Sequence, residues 1–380
     1  MGISLYIHIP FCEHRCGYCS FVSTVGSESA KREYIELLSK EMELLSSVWP
    51  KEHGKTKVET LYFGGGTPSC LSLKQIDALF AACSSHMAWD AGSELTWEAN
   101  PNTVTPEQAH LLRDWGVNRV SMGLQAANDE VLRTIDRIHK VSDYYDAYDH
   151  WVNAGIHNLS ADLMTGLPGL TIADLDAALD RLLERPAIRH ISSYALTLEA
   201  DAPMARRGIL LPTDDEERDQ FEHLRRRLTA KGMERYEISN FAYPGWRSRH
   251  NSVYWTTKDY YALGLSASSK IGATRYKNPD RIREYRDALR SGRPPGEIVE
   301  YLTESDRRFE AIMLPLRTAD GLNVAWWEEQ FGRDFEADYA DAIKKLVAAD
   351  LVIYRNRQLR LTDRGFDLSN LVYTEFMNEV

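Results

Sequence analysis

The chain lacks any run approaching the ~18 consecutive apolar residues that a membrane-crossing helix needs. Its first ten residues read as a buried strand rather than as a charged and apolar export signal, so a cytoplasmic location is expected, with peripheral membrane contact left open. Cysteine is scarce, at five in 380 residues. Three of the five crowd positions 12, 16 and 19, and Cys70 and Cys83 stand apart, which argues against a disulfide framework and leaves two ordinary thiols. A second Cys-x-x-Cys or Cys/His knuckle is missing, so a structural zinc site would have to draw on His8 or His14. An excess of positive charge is missing as well. A net charge of −11 and a pI near 5.5 argue against nucleic acid held through a broad basic surface, and Arg206-Arg207 and Arg225 to Arg227 read as a solvated face or a carboxylate pocket. There is no internal repeat beyond an alternation of strand-like and helix-like stretches, and no low-complexity tract.

What is present is an ordinary globular composition, 43% hydrophobic and 27% charged, in a chain long enough for one large domain and one small one. Short β-branched runs alternate with longer amphipathic stretches, the pattern of successive βα units around a parallel sheet. The predicted strands are 4–9, 58–63, 94–98, 119–123, 159–164 and 190–196. Helices are predicted at 31–45, 73–83, 106–115, 143–153 and 172–183, several opened by Ser, Thr or Asp caps. Six such units make three quarters of a barrel, whose chemistry belongs at the C-terminal ends of the strands. Periodicity alone does not separate an open barrel from a closed one. Past the turn-rich stretch ending at Gly296 the texture changes to helices and a hairpin near 351–361, with a winged-helix character, so domains of 1–296 and 297–380 are expected.

The chemistry concentrates in Cys12-x-x-x-Cys16-x-x-Cys19, within His8-Ile-Pro-Phe-Cys and Gly17-Tyr18-Cys19. A cubic 4Fe-4S cluster has four irons, so three thiolates leave one iron open to a small molecule. The motif resembles that of the radical S-adenosylmethionine (SAM) superfamily, and its flanks resemble the oxygen-independent coproporphyrinogen III oxidase family. The resemblance implies an open six-stranded α/β barrel, a partial TIM barrel, with a small C-terminal accessory domain. It also implies a 4Fe-4S cluster on Cys12, Cys16 and Cys19, with SAM bound at the open iron.

Other strand-end motifs match the same family. Gly64-Gly-Gly-Thr-Pro68 closes the second strand, and the family role against the SAM amino group falls on Gly65, Gly66 and Thr67. SAM carries a sulfonium, a ribose diol, an adenine and a carboxylate, and needs carboxylates, amides and a cation around it. Glu98, Gln125, Arg137 and Asp162 supply these in Glu98-Ala-Asn-Pro101, Arg119-Val-Ser-Met-Gly-Leu-Gln125, Asp136-Arg-Ile-His139 and Asp162-Leu-Met-Thr-Gly-Leu-Pro168. Tyr6, on the same strand face as His8, is placed near SAM by the resemblance. The pattern departs at Ile135-Asp136, where Leu-Gly is usual, at Ala126 for Ser, and at Leu170 for Gln.

Three features set the branch within the family. Phe21 stands where the oxidases commonly carry a fourth cysteine, and the chain begins eleven residues before Cys12, which together disfavour coproporphyrinogen decarboxylation. His250-Asn-Ser-Val-Tyr-Trp255 matches the HNxxYW pattern of the heme-chaperone branch. By that resemblance His250 contacts heme, with Tyr254 and Trp255 against the porphyrin face and His8, His139 and His190 as spare ligands. Downstream, Gly264-Leu-Ser-Ala-Ser-Ser269 departs from the Gly-rich segment usual there. The expected function is a heme chaperone that binds a 4Fe-4S cluster, SAM and heme and delivers heme to an acceptor hemoprotein, respiratory ones included. The alternative is a radical SAM enzyme that abstracts hydrogen from a tetrapyrrole or another substrate. Whether SAM is cleaved stays open.

Overall fold

The computed structural model of the protein describes residues 2–52, 54–200 and 202–377. The last three residues of the expected 297–380 domain lie outside the described residues. Six parallel strands form the main sheet: β1 (Ile3–Ile9), β2 (Thr56–Gly65), β3 (Glu94–Ala99), β4 (Arg119–Gln125), β5 (Leu159–Thr165) and β6 (Ile188–Ala195), neighbours in that order. β1 and β6 do not meet. A three-residue strand, Tyr261–Leu263, pairs in parallel with β1, and Asn240–Ala242 pairs antiparallel with β6, so the barrel is open.

The helices on the outer face begin where the capping chemistry puts them. Thr105 caps Pro106–Asp114, with proline at the first turn where its missing N–H costs nothing, and Thr171 with Asp174 forms a capping box on Ile172–Leu183. Their apolar stripes cover alternate strand residues. Trp97 packs on Phe63 and Phe80 with ring centroids 5.2 and 6.0 Å apart, and each fully buried ring of this kind contributes about 1.5–3 kcal/mol. The other strand residues face inward, and they are polar: Thr60 and Tyr62, Thr96 and Glu98, Arg119 and Ser121, Ser160 and Asp162, His190 and Ser192. The apolar core lies between sheet and helices, and the concave face is left for a site.

A second core, built on Trp327, Phe335, Tyr339 and Phe376, holds the C-terminal unit together. Helices Glu304–Leu316, Val324–Phe331, Phe335–Ala348 and Ser369–Met377 surround the hairpin Val352–Arg355 and Gln358–Leu361, joined by Leu322–Asn323. This is the winged-helix-like arrangement that the sequence suggests. Strand Glu297–Tyr301 pairs antiparallel with Thr274–Lys277.

Candidate cluster and cofactor site

The cysteine loop leaves β1 at Ile9 and is tied at both ends. Thr24 donates its N–H to the Pro10 carbonyl at 2.8 Å, Cys12 donates to the Thr24 carbonyl at 3.0 Å, and Met204 donates to the Gly17 carbonyl at 2.9 Å. The end of β2 is laced to the same loop, with Gly66 N–H on the Ile9 carbonyl (2.9 Å) and Thr67 N–H on the Phe11 carbonyl (2.7 Å). This closeness explains the glycines. Gly65 has φ +104°, and a Cβ there would fall 2.2 Å from the His8 ring; one on Gly66 would fall 2.6 Å from the Phe11 carbonyl.

A line of hydrogen bonds ends on the first cysteine. Arg137 donates from Nη1 to Asn100 Oδ1 (2.8 Å), Asn100 donates from Nδ2 to Thr67 Oγ1 (2.9 Å), and Thr67 donates from Oγ1 to Cys12 Sγ (3.4 Å). Asn100 is absent from the candidates drawn from sequence. The available signal is its place directly before Pro101 at a strand end, where the proline biases it to extended backbone; it has φ −95° and ψ 137°.

Around this line stand the remaining polar groups. Glu98 accepts from Tyr62 Oη (2.6 Å) and from Gly65 N–H (3.1 Å), and burial pushes its carboxyl up to about 7 against those two donors. Asp162 accepts from Ser121 Oγ at 3.1 Å and is also raised by burial. Gln125 has φ +65°, with Ala126 N–H on the Leu124 carbonyl at 2.8 Å, a tight turn beside a break in the β4–β5 register. That turn aims its side chain at Tyr194, which donates to Oε1 at 3.3 Å. Gly123 clears the space, since a Cβ there would lie 2.5 Å from Gln125 Nε2 and 2.8 Å from Arg137 Nη2.

These groups line one cavity of about 580 Å³, a size that suits a cofactor. It brings together Cys12, Cys16, Cys19, Gly65, Gly66, Thr67, Glu98, Gln125, Arg137 and Asp162. Tyr6 and His250 lie outside its lining. Tyr6 meets His8 Nδ1 through its hydroxyl at 3.0 Å, and His8 Nε2 meets the Val22 carbonyl at 3.0 Å, so this pair braces the cysteine loop. Among the described residues no three His, Cys, Asp or Glu side chains gather on a single ion, and a cubane takes each thiolate on a different iron. Arg137 keeps Nε buried and without a hydrogen-bond partner. A guanidinium on the wall of a cavity of carboxylates, amides and thiols suits a ligand carrying both a carboxylate and a cationic centre.

His250 sits on helix Arg249–Tyr254, which is inserted into the concave face. Glu94 on β3 accepts the N–H groups of Arg249 and His250, both at 2.9 Å, and so fixes the helix start. The imidazole is 1% exposed. It stacks on Tyr62 at 5.0 Å, its Nδ1 meets Thr60 Oγ1 at 2.8 Å, and its Nε2 meets Tyr254 Oη at 2.9 Å. Burial, with Arg119 nearby, pushes it down to about 3, so the ring is neutral at ordinary pH. Iron ligation by His250 therefore requires one of these hydrogen bonds to open. His190 is held in the same way, between Ser160 Oγ and Tyr236 Oη at 2.8 Å each. Its neighbour Arg119, 1% exposed, has three guanidinium nitrogens without a partner. His139 meets the Leu124 carbonyl at 3.3 Å.

Thiols on the loop after the first strand of an open parallel barrel, facing a polar cavity at the strand ends, define the radical SAM class. Accordingly, the Radical SAM superfamily model matches residues 6–182, and the HemN C-terminal domain model matches residues 302–368. The chain belongs to the family of the heme chaperone HemW, being 34% identical to HemW of Lactococcus lactis over 98% of this chain and 97% of the relative. It is 32% identical to HemW of Bacillus subtilis, over 99% and 100% respectively. Among solved structures, the radical SAM coproporphyrinogen III oxidase HemN of Escherichia coli superposes with a TM-score of 0.88 over 100% of this chain and 91% of that one, at 24% identity, and shares its fold.

Proposed function

We propose that the protein is a heme chaperone that carries a 4Fe-4S cluster on Cys12, Cys16 and Cys19, binds SAM beside it, and passes heme to an acceptor hemoprotein in the cytosol. The cavity that joins the three cysteines to Gly65–Thr67, Glu98, Gln125, Arg137 and Asp162 carries the first half of this reading. Gly65, Gly66 and Thr67 are assigned to the SAM amino group, Arg137 to its carboxylate, and Glu98, Gln125 and Asp162 to its ribose and adenine, with Tyr6 bracing the cysteine loop through His8. The cluster supplies an open iron to which SAM binds. The HNxxYW segment carries the second half: His250 is the assigned heme contact, reached once Tyr254 releases Nε2. No helix among the described residues is long and apolar enough to cross a membrane.

The test is an anaerobic heme titration of the cluster-reconstituted protein beside His250→Ala, with gel filtration before the Soret band and heme stoichiometry are read. Retained stoichiometric heme in the parent, lost or spectrally shifted in the variant, is the expected result. If neither protein retains heme, the chaperone reading fails. The enzyme reading then takes its place, to be sought as 5'-deoxyadenosine formed only when a tetrapyrrole substrate is present.

A further inference from the structure

We propose that a second cavity, between the hairpin 268–277 and the C-terminal helices, binds the carboxylates of a planar conjugated ligand, the propionate edge of a porphyrin. The proposal rests on the reading of the protein as a heme binder. The cavity holds about 320 Å³, at the lower end of the range for small-ligand sites. Lys270 and the turn at Gly272 form one wall; Arg307, Trp326 and Phe331 form the other.

Lys270 carries the argument. It is only 5% exposed, and its ammonium donates to one partner, the Thr257 carbonyl at 2.9 Å, with no carboxylate in an ion pair with it among the described residues. An ammonium has three donors, and two of them remain for a ligand. Arg307, exposed on the opposite wall, also has no ion pair among the described residues. The two acids of the cavity, Asp259 and Glu310, favour the Lys270 charge through space but have other direct partners. Glu310 is ion-paired with Arg275, and Asp259 accepts the Gly272 N–H at 2.8 Å. The cavity thus offers two cations that form no ion pair among the described residues, beside two half-buried aromatic rings, a combination that suits a flat, acid-bearing ligand.

The cavity is also continuous with the HNxxYW segment. Tyr254, which holds His250, meets Tyr260 edge to face at 4.9 Å, and Tyr260 exchanges backbone hydrogen bonds with Lys270 at 3.0 Å in both directions. Thr257, whose carbonyl holds the ammonium, is two residues past Trp255. The strand that presents the cation therefore also braces the tyrosine that must let His250 go.

The experiment compares the parent, Lys270→Met and Arg307→Gln, each titrated anaerobically with heme and with heme dimethyl ester, whose esterified propionates carry no charge. Each substitution is expected to weaken heme binding about tenfold, the scale of one charge-assisted hydrogen bond. The parent should bind the ester at that weakened level, and neither substitution should change ester affinity. Equal affinity of the parent for heme and ester, or unchanged heme affinity in both variants, overturns the proposal while leaving heme binding intact. A parent that binds neither overturns both readings. Arg307 is exposed, so its replacement is expected to leave the fold intact, and its variant decides the matter if Lys270→Met does not fold.

Discussion

Asn100 shows how much a single side chain can coordinate. Its amide faces Arg137 with one end and Thr67 with the other, and through Thr67 it reaches the Cys12 sulfur. Asn100→Ala leaves a buried guanidinium nitrogen unpaired, at a cost of about 1.5–3 kcal/mol, while touching none of the three thiols. The expected outcome is SAM affinity lowered about tenfold in equilibrium dialysis, with iron and acid-labile sulfide unchanged from the parent. Cys16→Ala, run beside it, should lose the sulfide. Loss of sulfide from Asn100→Ala, or unchanged SAM binding, would break the link between the relay and the cofactor. The sequence alone supplies the thiols and the acids here, because their chemistry is carried by residue type and spacing. It does not supply Asn100, whose role depends on a contact between two strand ends. Asp136 is instructive in the same way. The family pattern has glycine there, and this residue takes φ +57°, which aspartate tolerates better than most side chains, and pairs with Arg207 at 2.7 Å. The departure keeps the backbone bend that delivers Arg137.

Between elements, the most telling contact is Glu41, fully buried on helix Glu28–Ser46. It accepts from Tyr285 Oη (2.5 Å), Asn278 Nδ2 (2.7 Å) and Gly264 N–H (2.8 Å), and so ties the segment after Tyr261–Leu263 to the first helix. Burial outweighs these donors and pushes its carboxyl up to about 7. A folded-state value above the unfolded one means that the native protein binds the proton more tightly. The resulting stability is complete below about 4.5 and is lost as pH rises through about 7, amounting to roughly 3 kcal/mol. Glu41→Gln is neutral throughout, so its melting temperature should fall less than the parent's between pH 5 and pH 8, measured by differential scanning fluorimetry in matched buffers. Parallel curves would show that Glu41 does not titrate in this window. The six barrel strands are legible in the sequence because each runs for six or more residues, long enough for its buried apolar positions to show a pattern. Tyr261–Leu263 and Asn240–Ala242 are not, since three residues give no period to read and what holds them is the free edge of β1 or β6. The plug helix Arg249–Tyr254 is likewise too short to announce itself; its motif is visible, but its burial against Glu94 and Thr60 is a tertiary fact.

Across the whole molecule, the two units meet through contacts of unequal worth. Arg247 and Asp320 pair at 2.7 Å, but the carboxylate is 70% exposed and such pairs contribute about 0–1 kcal/mol. Arg317 is different. Its guanidinium lies 5.5 Å from the Trp255 ring centroid on one side and 5.3 Å from Tyr373 on the other, so it joins the last residue of the HNxxYW motif to the C-terminal helix Ser369–Met377. Partly desolvated cation–π contacts contribute about 1–2 kcal/mol, and here one cation serves two rings from different units. Backbone pairing reinforces the seam, with Ala319 N–H on the Tyr236 carbonyl at 2.9 Å. If this seam keeps the plug helix seated, Arg317→Ala should speed amide exchange in 249–255 and in 369–377 together, by about five- to thirtyfold for a loss of 1–2 kcal/mol. The other barrel strands should be unaffected. Asp320→Asn, at the exposed pair, should change neither. Acceleration confined to 369–377 would instead mean that the C-terminal unit rests on the barrel without holding the HNxxYW segment. Opening of His250 from Tyr254 would then be a property of the barrel alone.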